Sequence, residues 1–560
     1  MKKVLGLALV LMLVLAVAAG CTPANQQLGD YTEDGRPIIT IGVPKHPAVT
    51  TFGDDNTFTA WVEELSGCEI VVVEFAYDAV DYSAQIATRI ASGQELPDIL
   101  MNFNFSDKQR NDYGQQGYFM DLKPYYDDRE KSANFWLTFE EYLTDYDRDW
   151  FYHKIEDPKS GGWYAMPYCC PGDQDTIIYQ PWINQEWLDA LNLKVPTNKE
   201  ELEYVLRQFR DRDPNGNGKK DEIPLMGTKS NMGGNALYWL INMYDPELFV
   251  DFGNYVNITE DGTVYAPCVT DKYRDALRWV NMLMEEKLVH ETSLTNTNAD
   301  LKRALATGDM IGVAVGHPTT ILPKPEDMEK WTVLPQWGNC YYEDIASRYC
   351  NYITTDCSNP DAAWKVMMAL CDYETILRGR FGEEGYHWDY ADEGAKTAFG
   401  DPATIKLYID VITEAQTNAT WNAGLMGVSP KMEMDQIQVS DNMPQNEWDM
   451  YAKTKEQIVN YREQVADTKS RIICVPRLMW TDELKRECEF RTDVTNCFAT
   501  SCSKFVKGVK GFDVDNDADW QKYLNELKTL TYDTWIVTVQ KVVDTMIAKG
   551  QFVPETTPLA

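Results

Sequence analysis

The chain has 560 residues, of which 44% are hydrophobic and 12% aromatic, and its 87 acidic and 52 basic side chains give a formal net charge of −35. This length exceeds that of one ordinary domain, and the apolar content is ample for large buried cores. So acidic a chain lacks the electrostatic attraction that a polyphosphate needs, which excludes nucleic acid as an expected partner. The 5 His residues are scattered, and neither H-E-x-x-H nor C-x-x-C occurs, which excludes the common zinc and thioredoxin-like motifs.

The N-terminal segment carries the features of an export signal. Two lysines precede an apolar run over residues 4–19, and small residues lead up to Cys21. The run is shorter than the ~20 residues of a membrane span. The segment resembles a bacterial lipobox, with Ala18 where Leu is more usual, which implies that residues 1–20 are a signal peptide and that Cys21 is lipidated, as by palmitate. An ordinary secretory signal and an uncleaved anchor are the alternatives, and polar residues 21–36 are expected to form a tether.

The other cysteines do not define a disulfide framework. The chain has 13 Cys, and those after Cys21 are even in number but irregularly spaced. Cys169 and Cys170 are adjacent and could pair with each other only under strain. The sequence therefore predicts no specific pairing.

Strand and helix signals alternate from residue 37 onwards. Apolar runs predict strands at 37–43, 69–75 and 97–101, and helical periodicity predicts helices at 58–65 and 81–92 between them. This βαβαβ order predicts a parallel sheet with helices on both faces. Such sheets bind ligands at the carboxyl ends of their strands.

Later elements are marked by helix-start signals. A capping box at Thr197–Glu200 precedes a helix with one apolar face, and Pro360 in the first turn after Asn359 starts another. Beyond residue 389 the pattern is mostly helical. The apolar face of the first helix consists of Leu202, Val205, Leu206 and Phe209; strands are expected at 310–315 and 331–334, and helices at 520–530 and 534–548.

A series of segments between residues 37 and 390 follows the order of a known family. The chain resembles the large lipoprotein branch of the family 1 extracellular solute-binding proteins, the capture subunits of bacterial ABC importers for sugars and oligosaccharides. The segment with the most specific resemblance is 213–224; the others are 92–99, 121–124, 162–167, 184–197 and 381–388, the last with Trp388 where Tyr is usual.

The resemblance implies an α/β, periplasmic-binding-protein-like fold, with two lobes joined by crossovers near 166–173 and 337–342 and a ligand cleft between them. Cleft closure by hinge motion is expected on binding. The first lobe would comprise residues 37–167 and about 338–375, and the second would comprise residues 168–337 and about 376–560.

The same resemblance implies a function in transport and no enzymatic activity. The protein is expected to stand on the extracytoplasmic face of the bacterial membrane through its N-terminal lipid. It would capture a carbohydrate, with an oligosaccharide favoured, and deliver it to ABC permease subunits. The acidic balance argues mildly against a highly anionic ligand.

The run from Asp213 to Glu222 has the pattern of a calcium-binding loop. Side-chain oxygens recur at Asp213, Asn215 and Asn217, and the glycines between and after the asparagines allow tight bends. Ca²⁺ takes 6–8 oxygen ligands, and the remaining ligands would be Asp221, Glu222 and the main-chain carbonyl of Lys219. An EF-hand needs Glu at the twelfth position, where this loop has Pro224. Similar loops in the alginate-oligosaccharide binders that the chain resembles hold calcium, and here the ion would be structural; a plain Asn-Gly turn is the alternative.

Aromatic residues are abundant, with 17 Trp and 31 Tyr. Sugar rings pack their C–H faces on aromatic planes, so aromatic residues near the crossovers are candidate ligand contacts. Each of them is also compatible with an ordinary core position. The candidates are Trp163, Tyr164, Trp337, His387 and Trp388.

Two other functions remain open at this stage. A secreted glycan-degrading enzyme would need two carboxylates about 5 to 9.5 Å apart, and Glu383–Glu384 and Asp173 with Asp175 are acid pairs without an evident constellation. No G-x-S-x-G elbow occurs, since the run that begins at Gly427 has Lys at its last position. A surface sensor with the same cleft fold is the third possibility, because folds do not determine function.

Overall fold

The structure is a computed structural model. The part of the chain that it describes comprises residues 30–45, 49, 51–53, 55–143, 145–170, 181–229, 234–259, 261–317, 321–338, 346–397, 400–408, 421, 427–428, 436–440, 452–453, 473–474 and 478–551. Among these residues, none of the helices combines the length and the apolar character needed to cross a bilayer. The signal segment, most of the expected tether and Cys21 lie outside the described residues.

Strands and helices alternate through most of the chain. The strands are β1 (Ile38–Pro44), β2 (Glu69–Phe75), β3 (Ile99–Leu100), β4 (Met166–Cys170), β5 (Pro181–Asn184), β6 (Ile223–Met226), β7 (Asn257–Ile258), β8 (Val264–Tyr265), β9 (Ile311–Val315), β10 (Trp331–Val333), β11 (Ala346–Ile353), β12 (Trp388–Tyr390), β13 (Ile405–Leu407), β14 (Gly427–Val428) and β15 (Ile473–Cys474). The α-helices are α1 (Thr57–Ser66), α2 (Ala79–Ser92), α3 (Asp107–Gln115), α4 (Lys123–Asp127), α5 (Ala133–Tyr142), α6 (Asp145–Ile155), α7 (Gln185–Leu191), α8 (Lys199–Asp211), α9 (Ala236–Met243), α10 (Asp271–Glu285), α11 (Asn298–Ala306), α12 (Pro360–Leu370), α13 (Tyr373–Phe381), α14 (Asp482–Glu487), α15 (Arg491–Val506), α16 (Asp517–Thr529) and α17 (Tyr532–Ala548).

The first sheet has the strand order β14-β4-β11-β3-β1-β2. Strand β1 pairs in parallel with both β2 and β3, which confirms the predicted βαβαβ unit. The sheet as a whole is mixed, because β11 returns antiparallel to β3 and to β4. The long register of β1 on β2, from Ile38 opposite Glu69 to Pro44 opposite Phe75, aligns the carboxyl ends of these two strands.

The second sheet has the order β10-β5-β9-β6 and is covered on both faces. Strands β6 and β9 run parallel, and β5 is antiparallel to β9. Neighbouring residues of β5 point to opposite sides, as expected for a strand: Ile183 joins a large core with α7 to α10, while Trp182 joins a smaller cluster that includes Leu301 of α11. The layers are therefore helix, sheet and helix, as in an α/β domain.

Two separate hydrophobic cores divide the molecule into two lobes. One core is built from residues 39–166 and 352–371 together with Trp421, and the other from residues 183–334 and 478–546. Each core packs against one of the two larger sheets. The expected α/β class with two lobes is confirmed.

The segment after residue 375 differs from the expected division in one respect. The Trp61 Nε1 donates to Thr375 Oγ1 at 2.8 Å, which attaches α13 to α1 of the first lobe. Trp421 is buried in the first core and donates from Nε1 to Thr59 Oγ1 at 2.7 Å. Strand β14 pairs with β4. Among the described residues after 375, those that belong to the second core lie between 478 and 546, where the later helices supply apolar faces that cover it.

The helix-start signals correspond closely to the structure. Asn359 caps α12 through its side chain and Pro360 is the first helical residue, as predicted. The cap of α8 is displaced by one residue from the predicted capping box: the Asn198 side chain accepts from the backbone N–H of Glu201, and the Glu201 carboxylate accepts from Thr197. The predicted apolar face of α8 is buried.

Candidate functional site

The carboxyl ends of the parallel strands define where a ligand is expected. In the first sheet these are the ends of β1, β2 and β3, and in the second sheet the ends of β6 and β9. The described residues that follow them include Asn102 and Asn104 in the first lobe and 234–235 and 316–317 in the second. Residues 46–48, 230–233 and 318–320 also follow these ends but lie outside the described part.

The end of β3 holds two asparagines in a constrained turn. Asn102 has φ of 63°, a left-handed conformation that Asn tolerates better than most residues. Its backbone N–H donates to Asn351 Oδ1 at 2.9 Å, and that of Asn104 donates to the Tyr82 hydroxyl at 2.9 Å. Sparsely populated backbone conformations concentrate at functional sites, so this turn is a candidate position for polar ligand contacts.

On the second lobe, α9 carries an aromatic pair that sequence reasoning missed. Asn235 caps α9, and Tyr238 in its first turn stacks on Phe252 with ring centroids 3.4 Å apart and planes within 4°. Both rings are partly buried, and burial raises the pKa of Tyr238 to about 12. Asn235, which caps the helix after β6, was the available sequence signal for a site at this end of the strand. Aromatic residues are so frequent in this chain that Tyr238 could not be recognised as part of a site from the sequence.

Trp337 is also attached to α9. Its Nε1 donates to the carbonyl of Met243 at 2.8 Å, and its ring packs against the second core while remaining partly exposed. The preceding Gln336 is buried and accepts from Trp239 Nε1 at 3.1 Å. Trp337 therefore has a fixed orientation and an accessible part, as a ligand-binding aromatic requires.

Trp163 and Tyr164 lie in the first core, in contrast to the cleft position expected for them. Each is only 7% exposed. Trp163 packs against Tyr126, and the Tyr164 hydroxyl bonds to Ser160 Oγ at 2.8 Å. Their ring faces are covered by neighbouring side chains, which leaves no plane for a sugar.

His387 and Trp388 also have structural roles. Trp388 is fully buried and donates from Nε1 to the carbonyl of Gly382 at 2.7 Å, so it differs from the exposed contact that was expected. His387 Nδ1 accepts from the backbone N–H of Glu383 at 2.9 Å, which orients the ring inside the turn. The exposed neighbour is Tyr386, 69% accessible, whose ring meets His387 edge-on.

Glu384, one of the acids considered for hydrolysis, belongs to an ion-pair network. Arg378 lies 2.9 Å from the Glu374 carboxylate and 3.0 Å from that of Glu384, and it also stacks on Trp61 at 4.0 Å. Burial, followed by the neighbouring Glu374, raises the pKa of Glu384. The ion pairs with Arg378 account for the position of Glu384, so its placement gives no support to a role in hydrolysis. Asp173 and Asp175 lie outside the described residues.

The predicted calcium loop follows the end of α8 directly. Gly216 and Gly218 have φ of 67° and 73°, so both supply the left-handed turns that fold the loop inward. The Asp213 carboxylate accepts from the N–H groups of Asn217 at 3.0 Å and Gly218 at 2.9 Å. The loop is thereby wrapped around Asp213, its first predicted ligand.

The remaining predicted ligands lie around the same turn. Asn215 Oδ1 accepts from the N–H of Asn217, and Asn217 Oδ1 accepts from that of Lys219 at 2.7 Å. The Asn217 amide donates to Asp221 Oδ1 at 3.0 Å. Asn215 Nδ2 donates to the carbonyl of Asp309 at 2.8 Å, and this hydrogen bond attaches the loop to the segment just before β9.

Glu222 has a buried carboxylate oxygen that a cation could neutralise. Its Oε1 is buried and has no hydrogen-bond partner among the described residues. Burial, with the nearby carboxylates of Asp213 and Asp221, raises the pKa of Glu222. Buried oxygens without a partner are costly, and a cation would neutralise this one. Within the described residues no three His, Cys, Asp or Glu side chains form a metal group by themselves. The predicted shell also draws on two Asn oxygens and one carbonyl, and its donor types fit Ca²⁺.

Two α/β lobes with strand carboxyl ends available for a ligand are the architecture of the extracellular solute-binding proteins, and solved structures of that class have this fold. One from Bifidobacterium longum subsp. infantis superposes with a TM-score of 0.69, covering 92% of this chain and 99% of that one at 19% identity. A Streptococcus pneumoniae FusA described as an EF-hand mutant, in complex with fructo-nystose, has a TM-score of 0.64, with 91% and 100% covered at 18% identity. Alginate-binding protein AlgQ2 without calcium ion has a TM-score of 0.60, with 92% and 100% covered at 18% identity.

Sequence comparison gives particular relatives. The chain is 25% identical over 304 residues to the fructooligosaccharide ABC transporter substrate-binding protein FusA of Streptococcus pneumoniae serotype 4, over 50% of this chain and 52% of FusA. It is 30% identical over 111 residues to lipoprotein LipO of Bacillus subtilis, over 20% of this chain and 21% of LipO. The chain thus spans about half the length of FusA in this match. No family model matches it. The resemblance to ABC-transporter solute-binding proteins that the motifs predicted is confirmed.

Proposed function

We propose that this protein is the substrate-binding subunit of an ABC importer. It captures a carbohydrate, most simply an oligosaccharide, between its two lobes and delivers it to membrane permease subunits. The observation that carries this proposal is the similarity to FusA, a fructooligosaccharide-binding protein, on a fold of two lobes with strand carboxyl ends free for a ligand. The protein acts by binding and not by catalysis.

The cleft between the lobes is the proposed ligand site. Asn102 and Asn104 on the first lobe would offer hydrogen bonds to hydroxyl groups, while Trp337 and the Tyr238–Phe252 pair on the second would offer aromatic surface. This combination of a few polar groups with aromatic planes suits a sugar, whose ring has both hydroxyls and an apolar face. The predicted crossovers near 166–173 and 337–342 would act as the hinge between the lobes; residues 171–173 and 339–342 lie outside the described part of the chain.

Calorimetric titration of the purified chain with neutral and acidic oligosaccharides tests this function. A ligand at 100 times its Kd should raise the free energy of unfolding by about 2.7 kcal/mol, which a thermal-shift screen detects before titration. Absence of saccharide binding together with release of reducing sugar from polysaccharide would replace the binding function with an enzymatic one. Uptake of the bound sugar by cells, lost when the chain is absent, separates transport from sensing.

We also propose that Cys21 anchors the protein to the extracytoplasmic face of the membrane through a lipid. Support comes from the signal-like residues 1–20 and from the 111-residue similarity to lipoprotein LipO. Cys21→Ser removes the thiol that accepts the lipid, so the protein should appear in the culture fluid or accumulate as uncleaved precursor. Unchanged membrane fractionation with normal processing would rule out the anchor.

Calcium binding by the loop 213–222 is the third part of the proposal. Asp213, Asn215, Asn217, Asp221 and Glu222 would hold the ion together with the Lys219 carbonyl. The buried Glu222 Oε1, which has no hydrogen-bond partner among the described residues, supports this assignment. The structural neighbours include an EF-hand mutant of FusA and alginate-binding protein AlgQ2 without calcium ion. The ion would brace the second lobe, because the loop adjoins the amino ends of β6 and β9 and not their carboxyl ends.

A further inference from the structure

Two consecutive residues, Asp309 and Met310, hold both ends of the loop 213–222. Asn215 Nδ2, near the start of the loop, donates to the carbonyl of Asp309 at 2.8 Å. The backbone N–H of Ile223, directly after the loop, donates to the carbonyl of Met310 at 2.7 Å. These two hydrogen bonds close the loop against the amino end of β9, which begins at the next residue.

The side chain of Asp309 is fixed from inside the second lobe. Its Oδ1 accepts from Asn184 Nδ2 at 2.8 Å, and its Oδ2 accepts from Trp187 Nε1 at 2.9 Å. Asn184 and Trp187 are both fully buried, and Asn184 also caps α7 by accepting from the backbone N–H of Trp187. Trp187 belongs to the core of the second lobe, so this core determines where Asp309 lies.

Asn215 is the predicted calcium ligand that Asp309 orients. An amide side chain has a donor end and an acceptor end. Because Nδ2 donates to the Asp309 carbonyl, Oδ1 is directed to the other side, where it accepts from the backbone N–H of Asn217 at 3.1 Å. Asn215 is half-buried, whereas Asp213 and Asn217 are exposed. The bond to Asp309 therefore selects the end of the amide that faces the interior of the loop.

The same contact explains why residue 215 is Asn. The pattern of calcium loops accepts either Asp or Asn at the third position, and a carboxylate there would add charge for the ion. A carboxylate has no N–H to donate, so Asp at 215 would place an oxygen against the carbonyl of Asp309. Asn can serve both the loop and Asp309.

We propose that Asp309 is a positioning residue for the calcium loop, an inference that rests on the calcium binding proposed above. Asp309 holds Asn215 through its carbonyl, while its carboxylate stays on Asn184 and Trp187 and is not a ligand. Loss of a group that holds a metal ligand in place typically lowers metal affinity about 10- to 100-fold.

Calorimetric titration of the calcium-stripped full chain with calcium chloride tests this role. Asp309→Asn keeps the size of the side chain but can accept from only one of the two donors, because its amide nitrogen is a donor itself. We expect this variant to bind calcium about 10- to 100-fold more weakly than the wild type. Asp211→Asn is the matched control, because it removes the same charge from the exposed last residue of α8, where Asp211 pairs with Arg210. It should change calcium affinity by about twofold at most.

Asn215→Asp separates positioning from charge. This variant adds a carboxylate to the loop and removes the donor to Asp309, so we expect weaker calcium binding in spite of the added negative charge. Melting curves in chelator check that each variant is folded at the temperature of the titration. Equal or tighter calcium binding by Asn215→Asp overturns the proposal, as does an Asp309→Asn affinity equal to that of the Asp211→Asn control. A wild-type chain that binds no calcium would remove the calcium site itself, and the role of Asp309 with it.

Discussion

Trp150 and Phe151 are neighbours in α6 but pack against different hydrophobic cores. Phe151 is 1% exposed and belongs to the core of the first lobe, whereas Trp150 packs against the core of the second. Lys154, one turn further on, places its ammonium over the Trp150 ring at 5.3 Å. Helix α6 thus bridges the lobes shortly before the chain crosses between them.

Trp150→Ala should uncouple the two lobes. Removal of a buried Trp costs about 3–5 kcal/mol, and a partly buried one less, so we expect a loss of about 1–3 kcal/mol located at the lobe contact. Differential scanning calorimetry should show the unfolding transitions of the lobes further apart than in the wild type. Trp136→Ala, which removes a Trp buried within the first core, should lower the first-lobe transition and serves as the control. Transitions that stay equally coupled in Trp150→Ala would contradict the bridging role of α6.

His153 in the same helix makes stability depend on pH. Burial, followed by the positive charges of Lys154, Lys485 and Lys549, lowers the pKa of His153 to about 4 from its ordinary value of 6.5. The unfolded chain then binds the proton more readily than the folded one. The stability that depends on neutral His153 is complete above pH 6.5 and is lost as the pH falls towards 4, by about 3 kcal/mol in total.

The check is urea unfolding of the wild type and of His153→Gln at a series of pH values. The difference in unfolding free energy between the two proteins should change across the window from 6.5 to 4 and be constant above it. A difference that is the same at all pH values would show that His153 is protonated equally in both states.

Local patterns account for the parts of the fold that the sequence predicted. The βαβαβ unit, the cap at Asn359 and the buried face of α8 all depend on residues a few positions apart, and the predicted cap of α8 was displaced by only one residue, to Asn198. Strand β14, by contrast, pairs with β4 across more than two hundred residues, and no local signal indicates such a partner. For the same reason the return of Trp421 to the first core was not foreseen.

The site was harder to predict than the fold. A Trp has the same local sequence whether it lines a cleft or fills a core, and Trp163 and Trp388 proved to be buried. Tyr238 and Phe252 form a pair only through the tertiary packing of α9. The turns of the loop at Asp213 were predictable because Gly216 and Gly218 are local signals, whereas calcium binding by its regularly spaced donors stays a prediction.

Trp337→Ala should weaken saccharide binding more than it weakens the fold. The ring is partly exposed beside the predicted crossover, and loss of an aromatic plane from a sugar site removes about 1–2 kcal/mol of binding, or roughly tenfold in Kd. Trp388→Phe is the matched control, because Trp388 is fully buried and should affect melting without affecting affinity. The comparison is made by titration with the saccharide identified in the screen. Equal saccharide affinities of the wild type and Trp337→Ala would show that Trp337 does not contact the ligand.

Glu222 should give the calcium-free protein a second pH dependence. Its pKa is raised above the ordinary value of 4.5, chiefly by burial, so the folded state holds this proton more tightly than the unfolded state. In the presence of chelator, protonated Glu222 favours the folded state. This stabilisation is complete at acidic pH and is lost as the pH rises through the raised pKa. Glu222→Gln should abolish this loss in melting curves recorded from pH 4 to 7. With calcium bound, the trend should reverse, because the ion requires the ionised carboxylate. A Glu222→Gln protein with the wild-type profile would show that Glu222 is not the group responsible.

Chelation should lower the melting temperature if Asp213, Asp221 and Glu222 enclose Ca²⁺. The ion neutralises three carboxylates that otherwise repel one another, and a metal present at 100 times its Kd stabilises the folded state by about 2.7 kcal/mol. Asp213→Ala should produce the same loss and make melting insensitive to chelator, because Asp213 is the carboxylate around which the loop is wrapped. Asp211→Ala is the control: this carboxylate pairs with Arg210 in the last turn of α8 and should keep the sensitivity. Saccharide affinity should fall much less than stability, since the loop lies at the edge of the lobe away from the cleft. Identical melting curves with and without chelator, together with no calcium in elemental analysis, would show that the loop is a plain turn that does not bind calcium.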